Sequence, residues 1–384
     1  MGDRGIQLIN RERRASLRVV FISSQTQWGG GEQWLWSLGN ALRDRGVQVH
    51  WIVPDGTPLA ERLKKSSFVW LPITGKGRSI KDIRSMRSFL KHSEIELAHF
   101  NDSHAFFGAT AAMLGWFHIP RVATKHTIFP LRSRYKYHWM IDRLVCVSKA
   151  AERVCLEAGL AASRISVVYG AVEVPASDAS ARGEYLASLG WPQDSKLIVN
   201  VGNLQACKGQ RYLIEAMPEI RGIEPRAKLV IAGEGKERSE LESAIYRLGL
   251  GEHVSLLGFR KDATRWLAAA DVVVQPSISE ALSLVAIESQ MLFKPLAATA
   301  VGGLAEVIGA NWERPLAEVL RPKSVSDIVD AVGILLQGGN EVRERCERAA
   351  EAAHERFSLN RMTDEVLQIY TSLLASRKPK SHAA

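Results

Sequence analysis

The sequence predicts an α/β protein made of two Rossmann-like domains in tandem, each with a doubly wound parallel sheet. The 384-residue chain is longer than the ~250 to 300 residues at which a single core stops growing. Short β-branched runs alternate with amphipathic stretches in both halves, a rhythm typical of βαβ units. This rhythm breaks around 174–193, at Pro175 and the Trp191-Pro192 pair, and then restarts. Two domains joined near this break account for the pattern.

The first half opens with a βαβ pattern. Predicted strands cover 19–22, 47–53, 68–71, 97–100, 122–124 and 144–147, and a helix covers 32–43. Ser148 is expected to cap a helix over 149–157. The nearly uncharged stretch 105–119 is shorter than the ~20 residues needed to cross a bilayer, so it predicts a buried helix.

The second half repeats the rhythm. Predicted strands cover 197–201, 229–232, 254–257 and 272–275, with helices over 239–248, 264–269 and 284–292. The predicted domains are therefore 1–175 and 190–360, connected by 176–189.

Composition limits the protein class. Apolar residues make up 46% of the chain and charged residues 24%, as in globular proteins. The four cysteines form no CxxC pair and have no zinc-like spacing, which predicts free thiols in a reducing compartment. The first residues lack the apolar region of a signal peptide, so a cytoplasmic location is expected.

The net charge of +9 is unevenly distributed. Residues 1–175 hold 25 Lys/Arg against 14 Asp/Glu, a net +11, and the remainder has a net −2. A basic half suits nucleic acid, an anionic membrane surface or an acidic substrate, and charge alone leaves these open.

Two carboxylates flank a predicted strand-to-helix turn in the second half. Glu280 follows the strand 272–275, and Glu288 lies about one and a half turns into the next helix. In an open parallel sheet, ligands bind at the carboxyl ends of strands. The helix start near Ser283 offers unpaired N–H groups for a phosphate. The alternative interpretation is a capped surface helix with two solvated glutamates.

The segment 276–288 resembles the E-x7-E signature of family-4 glycosyltransferases, and 294–306 resembles the "PVVAT…GG..E" pattern that follows it. Further pieces of the family pattern occur in the expected order, namely Gly29-Gly30-Gly31-Glu32, 145–148, 165–174, Val201-Gly202-Asn203-Leu204 with Lys208-Gly209, 229–235 and Leu257-Gly258-Phe259. The resemblance spans nearly the whole chain. It implies the GT-B fold, with two domains facing a cleft and 361–384 packing back on the N-terminal domain.

The resemblance also implies residue roles. Glu288 would bind the nucleotide ribose, Glu280 the donor sugar, and Lys208 the diphosphate, whose leaving charge it would stabilise. His126 would reach the transferred sugar, so His126, Glu280 and Lys208 are the catalytic candidates. The expected donor-binding set is Gly30, Gly31, Asn203, Lys208, Gly233, Phe259, Glu280, Leu282, Ser283, Leu284 and Glu288.

The sequence departs from the family pattern at several positions. Asn203 replaces the arginine that usually accompanies the lysine, which removes one positive charge from the phosphate site. Ala281 and Ser283 replace two glycines, and the asparagine usual near 169–171 is absent.

The histidines near the strand ends of the first half differ in their expected roles. Asn101 stands where the family has a second histidine after His99. Both His99 and His104 are expected to be packed or capping residues.

Basic residues cluster on the first half, beside aromatic ones. The candidates for an acceptor or membrane surface are Lys81, Arg84, Arg87, Arg132 and Arg134. Cationic and aromatic side chains together suit an anionic membrane or a phosphorylated lipid acceptor. A solvated helix face is the alternative, and no nucleic-acid-reading motif accompanies the charge.

The resemblance therefore implies a retaining, metal-independent transferase that uses a nucleotide-diphosphate sugar as co-substrate, without a cofactor. A glycan or lipid-linked acceptor would place it in cell-envelope biosynthesis, such as that of lipopolysaccharide, at the inner face of the membrane. The alternatives are a nucleotide-sugar epimerase, a phosphorolytic enzyme on the same fold, or a non-catalytic binding relative.

Overall fold

The computed structural model describes residues 17–116, 119–131, 133–174 and 182–377. Its contacts divide the chain into two compact units. The first unit joins the chain up to Ala171 with the segment that begins at Leu359, and the second unit is Val172–Ser358. Each unit contains one parallel sheet with helices, so the predicted fold class of two parallel-sheet α/β domains is confirmed.

The sheet of the first unit has seven strands in the order β3-β2-β1-β4-β5-β6-β7. Its strands are β1 (Arg18–Ile22), β2 (Gln48–Pro54), β3 (Val69–Ile73), β4 (Leu97–Phe100), β5 (Arg121–Lys125), β6 (Arg143–Cys146) and β7 (Ile165–Val167). Its helices are α1 (Gly30–Asp44), α2 (Pro58–Lys64), α3 (Ile80–His92), α4 (Phe106–Ala112), α5 (Arg134–Met140), α6 (Lys149–Glu157) and the C-terminal α15 (Leu359–Arg377).

The sheet of the second unit has six strands in the order β10-β9-β8-β11-β12-β13. Its strands are β8 (Lys196–Val201), β9 (Ala227–Ala232), β10 (Val254–Gly258), β11 (Val272–Gln275), β12 (Leu296–Thr299) and β13 (Glu318–Leu320). Its helices are α7 (Arg182–Ser188), α8 (Gln210–Ile223), α9 (Arg238–Arg247), α10 (Ala263–Ala269), α11 (Leu284–Met291), α12 (Gly302–Val307), α13 (Val325–Gln337) and α14 (Asn340–Arg356).

Alternate residues of β1 face two separate hydrophobic layers, as the period of two in a strand requires. Val19 and Phe21 pack with α1, α2 and α15. Val20 and Ile22 pack on the other side, with α3, α4 and α6. Both faces of the sheet are therefore covered, which is why β1 reads as a continuous apolar run.

Two segments differ from the sequence-based expectation. The prediction of a buried helix over 105–119 is wrong, because α4 ends at Ala112 and Leu114 is 67% exposed. Gly115 follows with φ +88°, which no regular helix contains. Helix α7 falls within the predicted connection 176–189, where Arg182 pairs with Asp271 of the second unit at 2.7 Å.

Strand order reverses at one place in each sheet. In the first sheet β1 lies between β2 and β4, and in the second β8 lies between β9 and β11. Loops that leave the carboxyl ends of such neighbouring strands diverge and open a crevice where ligands bind. A ligand is therefore expected to bind at the loops after β1 and β4 or at the loops after β8 and β11.

Candidate functional site

The loops that follow β8 and β11 are tied together. The N–H groups of Ile278 and Ser279 donate to the carbonyl of Cys207 at 2.8 and 3.2 Å. The hydroxyl of Thr299, at the end of β12, donates to the carbonyl of Ser277 at 2.6 Å. These contacts hold the two loops in one arrangement at the reversal of the second sheet.

This arrangement brings Lys208 and Glu280 together. The ammonium Nζ of Lys208 lies 2.5 Å from Oε2 of Glu280, and the hydroxyl of Ser277 donates to the same oxygen at 3.3 Å. The lysine side chain is 26% exposed and the glutamate side chain 12%. The pair is thus partly buried, and its two opposite charges are matched to each other.

Gly209 is required where the two loops meet. It has φ +70°, and a Cβ at this position would lie 2.1 Å from the carbonyl oxygen of Pro276. Only glycine tolerates both the left-handed backbone and this close approach. Gly209 therefore allows α8 to begin directly after Lys208.

Ser283 caps the helix that carries Glu288. It adopts φ +77° and ψ +87°, and its hydroxyl accepts a hydrogen bond from the N–H of Ala286 at 3.3 Å. A non-glycine residue in this region costs about 1–2 kcal/mol. The family places a glycine here, and the positive φ explains why.

Glu288 lies on α11, apart from the Lys208–Glu280 pair. The hydroxyl of Thr264 on α10 donates to Oε2 of Glu288 at 3.3 Å. Burial raises the pKa of Glu288 to about 7, although the Thr264 hydroxyl acts in the opposite direction. Among the described residues, no cation pairs with this carboxylate, and with a pKa of about 7 it is only about half ionised at neutral pH.

The remaining residues expected at the donor site occupy different environments. Asn203 is exposed at the end of β8, and its backbone carbonyl accepts a hydrogen bond from Gln210 at 3.2 Å. A Cβ on Gly233 would lie 2.0 Å from the carbonyl oxygen of Gly202, so the loops after β8 and β9 need glycine here. Phe259 is exposed after β10.

Leu282 and Leu284 flank the capping residue Ser283. Leu282 is buried and Leu284 is half-buried. Leu282 is therefore part of the packed interior at the loop after β11.

The first unit contains a second polar cluster, at the reversal of its own sheet. Nε2 of His126, just after β5, lies 2.8 Å from Oδ1 of Asn101, just after β4. The amide Nδ2 of Asn101 donates to Oε1 of Glu32 on α1 at 3.1 Å. A Cβ on Gly31 would lie 3.2 Å from the imidazole ring, so Gly31 allows the helix to approach His126.

Burial dominates the electrostatics of this cluster. Burial, with a smaller contribution from the Asp102 carboxylate, raises the pKa of Glu32 to about 7. Burial, together with the charge of Lys125, lowers the pKa of His126 to about 3. His126 is therefore a neutral imidazole at physiological pH, and Glu32 changes its charge near neutrality.

Gly30 and Gly31, which belong to the expected donor-binding set, are the first two residues of α1. Seven residues separate them from the end of β1. Gly31 lies against the ring of His126.

Asp102 holds the loops after β1 and β4 together. Its carboxylate accepts hydrogen bonds from the N–H and the hydroxyl of Ser24 at 2.7 and 2.6 Å. It also accepts from the N–H of His104 at 2.9 Å, while the His104 side chain is exposed.

His99 is a packed residue, as predicted. It is fully buried on β4, with Nδ1 hydrogen-bonded to the hydroxyl of Tyr370 on α15 and Nε2 to the hydroxyl of Thr124. His99 thereby anchors α15 to the first unit.

A cavity of about 590 Å³ opens over the polar cluster of the first unit. Glu32, Asn101 and His126 line it, together with Lys125 and Lys136. Of these three residues, only His126 is a catalytic candidate in the sequence-based prediction. Glu32 belongs to a matched family segment, Asn101 stands where the family has a histidine, and Asp102 follows it directly after a predicted strand.

The basic residues of the first unit divide by role. Lys81, Arg84, Arg87 and Arg134 are all exposed, and Arg87 also donates to the carbonyls of Ala112 and Leu114 at 3.0 and 2.8 Å. Arg87 thus serves the end of α4. Arg132 lies outside the described residues.

The described ranges contain neither a metal-binding cluster of side chains nor a membrane-spanning helix. No group of three or more His, Cys, Asp or Glu side chains there is arranged to hold a metal ion. None of the helices in those ranges combines the length and the apolar character of a membrane-spanning segment.

Both halves of the chain match known family models. Residues 28–174 match the model described as Glycosyltransferase Family 4, and residues 181–355 match the model described as Glycosyl transferases group 1.

Curated relatives show the same relationship. The chain is 31% identical over 239 residues to an uncharacterized glycosyltransferase of Methanocaldococcus jannaschii, covering 59% of each protein. It is 32% identical over 207 residues to a D-inositol 3-phosphate glycosyltransferase of Xylanimonas cellulosilytica, covering 52% of this chain and 48% of that protein. The chain thus spans about half the length of the curated relatives it matches.

Solved structures share the fold over nearly the whole chain. A glycosyltransferase from Rickettsia africae superimposes with a TM-score of 0.81 at 19% identity, covering 94% of this chain and 99% of that one. Anabaena HepE in complex with UDP and glucose gives a TM-score of 0.80 at 19% identity, covering 93% and 100%.

Proposed function

Because the chain belongs to the family-4 glycosyltransferases, which matches over both halves indicate, we propose that it transfers a sugar from a nucleoside diphosphate donor to an acceptor hydroxyl. The anomeric configuration of the sugar is retained, and no metal ion takes part. The observation that carries this proposal is the Lys208–Glu280 pair at the reversal of the second sheet.

The pair supplies the two functions that the donor needs. Lys208 leaves Glu280 and binds the diphosphate, whose distal phosphate gains negative charge as the sugar departs. Glu280, released from the lysine, accepts hydrogen bonds from the sugar hydroxyls and orients the anomeric carbon. Glu288, on α11, accepts hydrogen bonds from the ribose hydroxyls.

Retention follows from attack of the acceptor on the face that the leaving phosphate occupied. Glu280 is a positioning group in this proposal, and no covalent sugar intermediate forms on it. The acceptor hydroxyl attacks the face that the phosphate leaves, and the departing phosphate oxygen takes its proton. The sequence contains no Asp-x-Asp metal motif, and Lys208 supplies the positive charge instead.

The acceptor binds to the first unit. The 590 Å³ cavity over His126 is large enough for a sugar and is lined by Lys125 and Lys136. These cations suit a phosphorylated or otherwise anionic acceptor. A glycan or lipid-linked acceptor of the cell envelope has this chemistry, and a solved structure of the same fold is of WaaG, named as involved in lipopolysaccharide biosynthesis.

The first unit also carries a surface suited to an anionic membrane. On α5, Trp139 and Tyr135 are 77% and 62% exposed, beside the exposed Arg134 and Lys136. Phe107 on α4 is exposed as well and lines a cavity of about 200 Å³ with Lys136. Exposed aromatic rings next to cations favour the interface of an anionic bilayer. A lipid-linked acceptor would meet the enzyme there.

The test is product analysis with a panel of UDP-, GDP- and ADP-sugars. Because Anabaena HepE, which shares the fold, was solved in complex with UDP and glucose, the uridine donors are the first choice. The expected result is a glycosidic product whose anomeric configuration, measured by NMR, matches that of the donor. Free epimerised sugar would show that the protein is an epimerase. A sugar phosphate would show that it is a phosphorolytic enzyme. Nucleotide binding without turnover of any donor would indicate a non-catalytic relative.

A further inference from the structure

The cluster over the first-unit cavity forms a directed chain of hydrogen bonds. It runs from Glu32 on α1 through Asn101 after β4 to His126 after β5, with heavy-atom distances of 3.1 and 2.8 Å. Glu32 and Asn101 are 6% and 2% exposed, so water competes little for these bonds. Three separate elements thus contribute to one buried network beside the cavity.

The chemistry of each member fixes the direction. An ionised carboxylate only accepts hydrogen bonds, so Asn101 must turn its NH₂ group toward Glu32. Its carbonyl oxygen then faces His126, and that oxygen also only accepts. Nε2 of a neutral His126 must therefore carry the proton, which leaves Nδ1 as the acceptor. Within the described residues, Nδ1 of His126 makes no hydrogen bond. It is also absent from the fully buried side-chain atoms that lack a hydrogen-bond partner.

We propose that Glu32 is a positioning residue that sets, through the amide of Asn101, the tautomer of His126, so that Nδ1 accepts a hydrogen bond from a bound sugar hydroxyl. The hydrogen bond from the sugar rests on the proposed function. The tautomer of His126 follows from the two hydrogen bonds of the chain and does not depend on that function. Asn101 thus transmits the state of Glu32 to the ring.

The constraint holds only while Glu32 is ionised. A protonated Glu32 can donate to the oxygen of Asn101 after the amide rotates, and the NH₂ group then faces His126 and favours a proton on Nδ1. The other charged or titratable groups around the network are Asp102 beside Glu32, and Lys125 and His99 beside His126.

Near neutral pH, Glu32 changes its charge whereas His126 and His99 do not. The pKa of Glu32 is raised to about 7 by burial and by Asp102, whereas burial keeps the pKa of His126 and of His99 near 3. The ring of His126 therefore stays neutral from pH 5.5 to 8.5 while its tautomer becomes free as Glu32 gains a proton.

The tautomer can be measured directly by long-range ¹H–¹⁵N NMR of the ¹⁵N-histidine-labelled full chain, with His126→Gln to assign the signal. At pH 8.5 we expect a single Nε2–H tautomer, and at pH 5.5 a mixture. Glu32→Gln should give the mixture at both pH values, because its amide can donate or accept. Gln33 lies on the same helix, and its side chain donates to Ser37 at 3.1 Å and to no member of the network among the described residues, so Gln33→Ala should behave as the wild type.

A double variant separates positioning from packing. In Glu32→Gln with Asn101→Asp, the carboxylate and the amide exchange places, so the new carboxylate at position 101 accepts from Nε2–H while the amide of residue 32 donates to it. The Nε2–H tautomer at pH 8.5 should return. An Nδ1–H tautomer in the wild type at pH 8.5, or a single Nε2–H tautomer in Glu32→Gln, would overturn the proposal.

Kinetics test the consequence for the sugar. With a working donor and acceptor, Glu32→Gln should lower kcat about tenfold at pH 8.5 with KM for the donor nearly unchanged, and the double variant should recover most of it. A full wild-type kcat in Glu32→Gln would remove the role of Nδ1. If the wild type transfers no sugar, the proposed function fails, while the NMR measurement still decides the tautomer.

Discussion

The ammonium group of Lys208 and the carboxylate of Glu280 lie 2.5 Å apart although 72 residues separate them in the chain. The pair forms because β8 and β11 are neighbours in the sheet and their loops share hydrogen bonds through Cys207. In this state the lysine charge is already matched. If Lys208 binds the donor diphosphate as proposed, the diphosphate must compete with Glu280 for it, and this exchange would couple donor binding to the release of Glu280.

This competition predicts opposite effects of the two members on nucleotide binding. Glu280→Gln frees Lys208, and breaking a partly exposed ion pair costs about 0.5–1 kcal/mol, so UDP should bind about two- to fivefold more tightly. The same variant should lower kcat at least about 100-fold, because the sugar loses its positioning group. Lys208→Ala should weaken UDP binding and lower kcat together. Calorimetry and steady-state kinetics measure the two effects.

A matched pair elsewhere in the chain provides the control. Lys64 and Glu61 form an ion pair of 2.8 Å on α2, with both side chains about half exposed. Lys64→Ala and Glu61→Gln should leave nucleotide binding and kcat unchanged. Weaker UDP binding in Glu280→Gln would contradict the competition.

Asn203 offers a gain-of-function test. It is exposed at the end of β8, beside the loop that carries Lys208, where the family has an arginine. Asn203→Arg should add a charge-assisted contact to the diphosphate and tighten UDP binding about three- to tenfold. Asn203→Gln matches its polarity without the charge and should have no effect. Equal binding by the two variants, measured by calorimetry, would show that this position does not face the phosphates.

Ser283 should respond in opposite directions to two small substitutions. Ser283→Gly relieves the positive φ and loses only a few tenths of a kcal/mol as a cap, so the free energy of unfolding should rise by up to about 1 kcal/mol. Ser283→Ala keeps the φ of +77° and loses the hydrogen bond to Ala286, so the free energy of unfolding should fall by about 1 kcal/mol. Denaturant unfolding checks both. A loss of stability in Ser283→Gly would mean that the backbone is not strained here.

Much of the fold could be predicted because it is encoded locally. The strand predicted over 272–275 coincides with β11, and Ser148 caps α6 by accepting from the N–H of Ala151 at 3.1 Å. Alternating apolar runs and capping residues depend on near neighbours in the sequence, so they can be read directly from it.

The features that escaped prediction depend on distant residues. The segment 105–119 has a helical composition, but Arg87 binds the carbonyls of Ala112 and Leu114, which a longer helix would have used itself. The Glu32–Asn101–His126 chain joins residues 69 and 25 positions apart. The family pattern includes Glu32 and marks position 101, but it does not show that these residues form a hydrogen-bond chain to His126.

Glu288 should make the stability of the protein depend on pH. Its pKa is about 7 in the folded chain and 4.5 as an unperturbed group, so the folded state holds more protons between these values and stability falls as the pH rises. Glu288→Gln removes this loss and should raise Tm by a few degrees at pH 8. At pH 5 the folded carboxyl is already neutral, so the difference should nearly vanish. Scanning calorimetry at the two pH values measures it, and an equal change at both would exclude the titration of Glu288 as the cause.

The surface on α4 and α5 predicts binding to anionic membranes through aromatic and cationic groups together. Trp139 is 77% exposed, and Lys136 and Arg134 lie on the same short helix. Wild-type protein should float with phosphatidylglycerol-rich vesicles at low salt, and less at high salt, because screening weakens the attraction of the cations. Trp139→Ala should reduce flotation at both salt concentrations, since the loss of apolar burial is insensitive to salt.

The second unit supplies the control for this experiment. Tyr246 on α9 is 87% exposed, so Tyr246→Ala removes an aromatic ring of similar exposure from a surface with a slightly negative net charge. Flotation should be unchanged in that variant. Lys136→Glu should lower binding at low salt by more than the loss of one charge, because it also introduces repulsion from the anionic lipid. Equal binding to phosphatidylcholine vesicles without anionic lipid would refute the electrostatic part, and unchanged flotation of Trp139→Ala would refute the aromatic part.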